Sequence, residues 1–214
     1  MTENDLNDLK RTYKNIKPDI IERLKLFREN FSKMDNNDIF AELSFCTLTP
    51  QSKAKSCWKC IESIRDSRML YEGCADELRN SIKGVRFHNN KSAYIVHNRD
   101  FVFKMDFKKF IIENSHDIIN LRKWLVDNIK GYSYKEAGHF LRNIGLGSEI
   151  AILDRHILKN LVLFGVIDEI PKSLNEKKYL ETEAKMSSFS KRIKIPMDHL
   201  DILLWYKQTG EIFK

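Results

Sequence analysis

The stretch that decides the fold is residues 129–158, IKGYSYKEAGHFLRNIGLGSEIAILDRHIL. It predicts a helix end, a tight hairpin begun by Gly131, a helix with Lys135 in its first turn, a loop, and a helix opened by Asp154. A helix-hairpin-helix presents backbone N–H groups and a helix N-terminus to a DNA phosphate. Lys135 and Asp154, 19 positions apart, add a nucleophile and a negative charge. The stretch therefore indicates DNA binding with chemistry at a sugar C1′.

The rest of the chain also predicts helices, and no sustained alternation of apolar and polar residues predicts a sheet. The segments AYIV and FVFKM are short and ambiguous. The fold class is therefore all-α. The expected helices cover 17–31 with Pro18 near the first turn, a segment from a cap at Asn37 or Asp38 through Phe45, one from Pro50 through Ile61, 117–129, 135–144 ended by Gly145, and segments capped by Asp154 and Asp198.

Length and composition describe an ordinary globular protein. At 214 residues the chain suits one domain of good size or two small ones. Hydrophobic residues make up 42% and charged residues 31% of the sequence, which disfavours disordered and membrane proteins. No run of about 18 apolar residues predicts a membrane span, and the N-terminal sequence lacks the apolar segment of a secretory signal. These features predict a cytoplasmic protein.

The cysteines do not predict a metal centre. Cys57 and Cys60 form one C-x-x-C pair in a predicted amphipathic helix, 54–64, and the other two are Cys46 and Cys74. A zinc or iron–sulfur site would need a second pair of ligands at suitable spacing. Buried or half-buried reduced thiols are expected instead.

The basic residues concentrate in residues 81–110, where seven Lys and Arg face two Asp within a chain of net charge +7. Phe87 and other aromatic residues interleave with them, as they do where DNA backbone and bases are both contacted. The alternative is a pair of amphipathic helices with an aromatic core and solvated lysines. That alternative is favoured for most of these residues.

The runs YKEAGHFLRNIG, DRHIL, LLWYKQTGEIFK and FAELSFCTLT resemble the helix-hairpin-helix DNA glycosylase superfamily. Within it, they are most similar to the compact second class of 8-oxoguanine DNA glycosylase/lyases, best represented in archaea. The resemblance implies two helical domains flanking a DNA-binding cleft: a barrel at 36–151 with the hairpin, and a second domain of 1–35 and 152–214. Endonuclease III relatives carry four cysteines after the catalytic Asp, and this chain has no cysteine beyond Cys74.

The resemblance implies a bifunctional enzyme that removes 8-oxoguanine and then nicks the strand. Lys135 is expected to displace the base at C1′ and to form a Schiff base before β-elimination. Asp154 is expected to stabilise positive charge on the sugar or to assist proton transfer involving Lys135. The ordinary alternatives are a surface lysine and a simple helix cap.

The resemblance also assigns base recognition after the target base is flipped out of the duplex. Trp205 and Phe87 are expected to stack on its two faces, and Asp201 to line the pocket. The main-chain carboxylate of Lys214 is expected to accept the N7–H that 8-oxoguanine has and guanine lacks. Gln51, at an expected helix start, would fill the hole left in the duplex. The alternatives are core packing for Trp205 and Phe87, packing or capping for Asp201, a frayed terminus for Lys214 and a solvent-exposed first-turn residue for Gln51.

The hairpin is expected to bind the DNA backbone through Gly131 and Ser133. The superfamily favours glycine where Ser133 stands, so its hydroxyl could replace part of the phosphate contact or weaken binding. Arg155 and His156 are expected to serve packing or phosphate contacts. The resemblance implies no cofactor beyond a monovalent cation at the hairpin carbonyls. It implies a monomer whose partner is duplex DNA with oxidised guanine, associated with the nucleoid.

Two other functions stay open at this point. One is a glycosylase of the same superfamily for another damaged base, which the missing cysteine cluster and Lys214 disfavour. The other is a non-catalytic helix-hairpin-helix module, which the joint presence of Lys135 and Asp154 disfavours.

Overall fold

The computed structural model describes residues 3–213, and every regular element in that range is an α-helix. The prediction of an all-α fold is confirmed. Within the described range no helix is both long and apolar enough to cross a bilayer. The helices are α1 Glu3–Lys33, α2 Asn36–Leu48, α3 Ala54–Asp66, α4 Met69–Glu72, α5 Ala75–Ser81, α6 His88–Val102, α7 Phe107–Asn114, α8 Ile118–Asn128, α9 Tyr134–Asn143, α10 Arg155–Leu163, α11 Glu176–Ile193 and α12 Met197–Thr209.

The chain divides into two compact units. One, here called the hairpin unit, is Asn30–Leu146, and the other, the terminal unit, is Met1–Glu29 together with Gly147–Lys214. The terminal unit is therefore discontinuous in sequence. The boundaries expected from the resemblance lay at residues 36 and 151.

The hairpin unit is built around α2. Every residue from Ile39 to Leu48 is buried, as expected of a helix that lies in a core and is covered on all sides. Helices α3, α6, α7 and α9 all pack against it. The Phe107 and Phe140 rings of α7 and α9 stack with centroids 6.3 Å apart. Helix α9, which carries Lys135, is therefore anchored to the centre of its unit.

The terminal unit packs α10 and α11 against α12. Its buried residues include Leu161 and Leu203, and the rings of Phe164 and Phe189 stack at 5.7 Å. Asn160 of α10 donates a hydrogen bond to the Leu204 carbonyl of α12 at 3.2 Å. These contacts hold α10, the helix that Asp154 precedes, against the rest of its unit.

Helix α1 corrects the prediction for Pro18. The helix begins at Glu3, so Pro18 lies inside it and not near its first turn. An interior proline costs about 3 kcal/mol of helix stability. Burial offsets this cost, because one apolar face continues through the proline: Leu9, Ile16, Ile20, Leu24 and Phe27 are all buried.

Helix α2 begins with a capping box whose cap lies two or three residues before the predicted one. Asp35 is the cap: its carboxylate accepts from the Asp38 N–H at 2.8 Å, and the Asp38 carboxylate accepts from the Asp35 N–H at 3.2 Å. The expected caps at Asn37 or Asp38 are therefore wrong. Asp38 instead fills the third helical position, where an acid returns the cap's hydrogen bond.

Two further helix starts differ from the prediction. Residues 50–52 form a turn, closed by the Ser52 N–H donating to the Thr49 carbonyl at 3.0 Å, and α3 begins at Ala54 instead of Pro50. Helix α12 begins at Met197, so Asp198 lies inside the first turn and does not cap it. In contrast, Asp154 caps its helix as predicted. The helix expected over 117–129 is α8, and Asp117 is its cap. Gly145 follows α9 at φ +79°, also as predicted.

Candidate active site

The hairpin between α8 and α9 is held by contacts from two other helices, α2 and α6. The Asn98 side chain donates to the Lys130 carbonyl at 3.0 Å and accepts from the Lys130 N–H at 2.8 Å. The Tyr132 hydroxyl donates to the Leu43 carbonyl of α2 at 2.8 Å. Between these anchors Gly131 takes φ +88° and lies beside the Tyr94 ring. The hairpin is therefore a rigid, exposed turn whose shape is set by the surrounding helices.

Replacing Gly131 with alanine is expected to destabilise the protein by about 2–3 kcal/mol, because both backbone and space oppose a side chain there. A Cβ at this position would lie 2.6 Å from the Tyr94 ring. Gly210→Ala is the matched control, since Gly210 has φ +73° and nothing within 4 Å of its Cβ position. Denaturant unfolding should show a loss of about 1 kcal/mol for the control. Equal losses would contradict the role assigned to Tyr94.

Lys135 is the second residue of α9, directly behind the hairpin. Its side chain keeps 21% of its surface exposed, and its Nζ lies 3.3 Å from Glu136 Oε1. Glu136 is itself fixed, because its Oε2 accepts hydrogen bonds from both the N–H and the hydroxyl of Ser133. The amine is therefore accessible and held by a carboxylate that caps the helix.

Glu136 is a site residue that the sequence prediction missed. The run Ser133-Tyr-Lys-Glu136 has the S-x-x-E spacing of a capping box, which was the available signal. The structure confirms that box and shows how Ser133 uses its hydroxyl, namely on the Glu136 carboxylate. Ser133 nevertheless stays exposed.

Gln51 and Phe87 are exposed residues of the hairpin unit with left-handed backbones. Gln51 has φ +55° and lies in the turn before α3, so its expected helix-start position is wrong. Phe87 has φ +60°, precedes α6 and is 50% exposed. The Arg86 guanidinium lies 5.0 Å from the Phe87 ring centroid. Core packing, the alternative for Phe87, is therefore wrong.

Lys91 of α6 is buried, with 4% of its surface exposed. Its Nζ donates to the carbonyls of Leu48 and Pro50, each at 2.7 Å, and lies 3.4 Å from Ser52 Oγ. Burial lowers the pKa of Lys91 to about 8, and the nearby charge of Lys135 acts in the same direction. The expectation of solvated lysines in residues 81–110 is therefore wrong for Lys91.

The four cysteines are free thiols. Cys57 is buried and donates to the Leu48 carbonyl at 3.3 Å, and burial raises the pKa of its thiol to about 11. Cys46 is buried and Cys60 half-buried as predicted, whereas Cys74 is exposed. Within residues 3–213 no group of three or more His, Cys, Asp or Glu side chains could hold a metal ion.

Asp154 of the terminal unit caps α10, its carboxylate accepting from the Ile157 N–H at 2.8 Å. The buried loop before it, residues 150–153, has no helical hydrogen bonds of its own, so side chains satisfy its backbone. Glu183 accepts from the Ala151 N–H at 2.7 Å, and Asp201 from the Ile152 N–H at 3.3 Å. These bonds set the position of the Asp154 carboxylate.

The remaining predicted residues of the terminal unit differ in exposure. Asp201 is 3% exposed, and Trp205, one turn later on α12, is half-buried. Arg155 is exposed, while His156 is half-buried, with a buried Nδ1 that has no hydrogen-bond partner. Lys214 lies outside the described residues.

Comparison with known proteins decides the family. A model of the 8-oxoguanine DNA glycosylase family matches residues 20–195. The chain belongs to this family. A relative in Fusobacterium nucleatum, an 8-oxoguanine DNA glycosylase/AP lyase, is 49% identical over 210 residues, which is 97% of each protein.

Solved structures of 8-oxoguanine DNA glycosylases have the same fold as this family member. The crystal structure of the Thermotoga maritima enzyme matches with a TM-score of 0.88 and 31% identity, over 99% of both chains. The Methanocaldococcus jannaschii glycosylase/lyase, crystallised with a 15mer DNA containing 8-oxoguanine, matches with a TM-score of 0.87 and 35% identity. That match covers 98% of this chain and 99% of the other. The resemblance drawn from the sequence is thereby confirmed.

The two compact units of this glycosylase each hold part of the predicted site. In the hairpin unit Lys135 contacts Glu136, and its charge acts on the buried Lys91. The other predicted residues of the hairpin unit are Gln51, Phe87, Gly131 and Ser133, and those of the terminal unit are Asp154, Arg155, His156, Asp201 and Trp205.

Proposed function

We propose that this chain is a bifunctional DNA glycosylase/AP lyase that removes 8-oxoguanine from duplex DNA. Membership of the 8-oxoguanine DNA glycosylase family supports the substrate. The observation that carries the chemistry is Lys135, a partly exposed amine in the first turn of the helix that follows the hairpin. A lysine held there can reach a sugar whose phosphates lie against the hairpin and the N-terminus of α9.

In the proposed reaction the Lys135 amine attacks C1′ of the damaged nucleotide. The bond from C1′ to the base nitrogen breaks, and the base leaves with the electron pair and takes up a proton. The nitrogen gives up a proton, O4′ takes one up as the sugar ring opens at the C1′–O4′ bond, and a Schiff base joins Nζ to C1′. Loss of a C2′ proton then breaks the C3′–O3′ bond, which nicks the strand. Hydrolysis of the Schiff base then releases Lys135 from the sugar.

Asp154 is proposed to stabilise the positive charge that develops on the sugar during these steps. Its carboxylate stands at the N-terminus of α10 and accepts a hydrogen bond from the Ile157 N–H. A fixed negative charge stabilises an oxocarbenium-like sugar, and the same group can assist proton transfer involving Lys135.

Base recognition is proposed to use Phe87 and Trp205 as stacking faces. The 50% exposure of Phe87 supports this, since an exposed aromatic ring on a left-handed residue gains little from packing. Asp201 is proposed to line the pocket and Gln51 to fill the gap in the duplex. The carboxylate of Lys214 remains the proposed acceptor for N7–H of 8-oxoguanine.

Borohydride trapping tests the proposed function directly. Wild-type protein is incubated with matched duplexes carrying 8-oxoguanine, guanine or an oxidised pyrimidine, and the covalent adducts are separated by denaturing electrophoresis. A strong adduct with 8-oxoguanine alone is expected, because borohydride reduces the Schiff base to a stable amine. An adduct chiefly with the oxidised pyrimidine would indicate another damaged base. No adduct with any duplex, despite DNA binding, would overturn the lyase proposal.

The proposal extends to the setting of the reaction. Duplex DNA is the partner, and a chromosomal substrate favours a cytoplasmic, nucleoid-associated enzyme acting as a monomer. We also propose that the hairpin carbonyls bind a monovalent cation. No other cofactor is proposed.

A further inference from the structure

Gln51 and Phe87 share an unusual backbone conformation. Both are exposed, neither is glycine, and both have positive φ, at +55° and +60°. The left-handed region costs a non-glycine residue about 1–2 kcal/mol. Such residues persist where surrounding contacts over-determine them, commonly at binding and catalytic sites. Some feature of the hairpin unit must therefore hold both segments in place.

The buried side chain of Lys91 contacts the turn at residues 50–52, which contains Gln51. Its Nζ donates to the carbonyls of Leu48 and Pro50, both at 2.7 Å, and lies 3.4 Å from Ser52 Oγ. These oxygens lie on both sides of Gln51 in the chain. One ammonium group thus ties the end of α2 to the turn that presents Gln51.

The same network reaches the Phe87 segment. Ser52 Oγ accepts a hydrogen bond from the Arg86 N–H at 3.0 Å. The backbone N–H of Lys91 donates to the Phe87 carbonyl at 3.0 Å, in the first turn of α6. Lys91 and Ser52 therefore connect the two strained segments, which are far apart in sequence.

The burial of Lys91 needs an explanation other than packing. Taking an ammonium out of water costs several kcal/mol unless hydrogen bonds and charges compensate. The hydrogen-bond acceptors at its Nζ are neutral oxygens, and 4% of its surface is exposed. A methionine would fill a similar volume without that cost, so packing alone does not account for a lysine.

We propose that Lys91 is a positioning residue that, with Ser52, holds Gln51 and Phe87 in the conformations in which they engage DNA around a flipped base. The inference rests on the proposed glycosylase function and deepens it. Lys91 itself is too buried to reach the sugar, so it acts through the two segments that it holds. Its loss is expected to affect base extrusion and stacking more than the chemistry of Lys135.

Two DNA substrates separate base extrusion and stacking from the chemistry of Lys135. Base removal from an 8-oxoguanine duplex requires flipping and stacking, whereas cleavage of a duplex with a preformed abasic site requires the Lys135 amine but no base recognition. Single-turnover rates on both duplexes are measured for wild type, Lys91→Met, Ser52→Ala and Lys123→Met. Lys123 is an exposed lysine of α8 that pairs with Asp127, and its variant is the matched control.

Lys91→Met is expected to slow base removal by about 100-fold, the effect of misplacing binding groups by about 1 Å. Ser52→Ala removes the hydrogen bonds at Ser52 Oγ without changing any charge, and it is expected to slow base removal by about 10-fold. In both variants abasic-site cleavage should stay within about 3-fold of wild type, and Lys123→Met should match wild type on both duplexes.

A proportional loss on both duplexes would overturn the inference, because it would make Lys91 a purely structural residue. Unchanged base removal in Ser52→Ala would also overturn it, and this variant decides the matter if Lys91→Met fails to fold. Wild-type protein that cleaves neither duplex would overturn the proposed function itself, and the inference with it.

Discussion

Replacement of Lys135 by glutamine is expected to abolish the covalent adduct and to slow cleavage of an 8-oxoguanine duplex by at least about 1,000-fold. An amide nitrogen is not nucleophilic and cannot form a Schiff base. Glutamine can still donate to the Glu136 carboxylate, which lies 3.3 Å from the lysine Nζ in the native protein. Single-turnover cleavage and borohydride trapping measure the effect on chemistry, and thermal unfolding checks that the fold is kept.

Lys123→Gln is the matched control for this variant. Lys123 is an exposed lysine of the hairpin unit, paired with Asp127 on the surface of α8, and its replacement should leave both activities at the wild-type level. Binding of Lys135→Gln to an 8-oxoguanine duplex should remain close to wild type, since the hairpin and the N-terminus of α9 are unchanged. An adduct that persists in Lys135→Gln would show that another amine is the nucleophile.

Replacement of Asp154 by asparagine is expected to slow base removal by about 100-fold or more while stability changes little. The asparagine oxygen can still accept from the Ile157 N–H, as the aspartate does at 2.8 Å. The negative charge is lost, so the developing positive charge on the sugar is no longer stabilised. Single-turnover rates and denaturant unfolding, measured on the same preparations, separate the two effects.

Two alanine variants complete this comparison. Asp154→Ala should lose about 1 kcal/mol of stability in addition to activity, because the cap is removed. Asn175→Ala is its control: Asn175 caps α11 by accepting from the Lys178 N–H at 3.0 Å, and its loss should cost similar stability without slowing catalysis. Full activity in Asp154→Asn would reduce Asp154 to a helix cap.

Local signals predicted much of the fold. The cap at Asp154 and the glycine after α9 were confirmed, because capping and positive φ depend mainly on neighbouring residues. Gly131 likewise has the positive φ of a tight turn. The run around Lys135 was also sufficient to indicate the family, which the comparisons confirmed. The roles of the predicted site residues stay predictions.

The errors in helix boundaries have tertiary causes. Pro18 reads locally as a helix start, yet α1 continues through it because its apolar face is buried on both sides of the proline. Pro50 also reads as a helix start, but residues 50–52 form a turn whose Pro50 carbonyl accepts from Lys91. In both places distant contacts outweigh the local preference.

By itself, the sequence determined an all-helical chain and a hairpin followed by a lysine and, 19 positions later, a capping aspartate. Only the tertiary structure decided which charged residues are buried. Lys91 looks like any solvated lysine in a basic stretch, but folding brings its amine to carbonyls 43 and 41 residues away. The exposure of Phe87 and the turn at Gln51 follow from the same long-range contacts. Residue type and spacing report local hydrogen bonding and amphipathicity, whereas the partners of a buried charge depend on which distant segments fold against it.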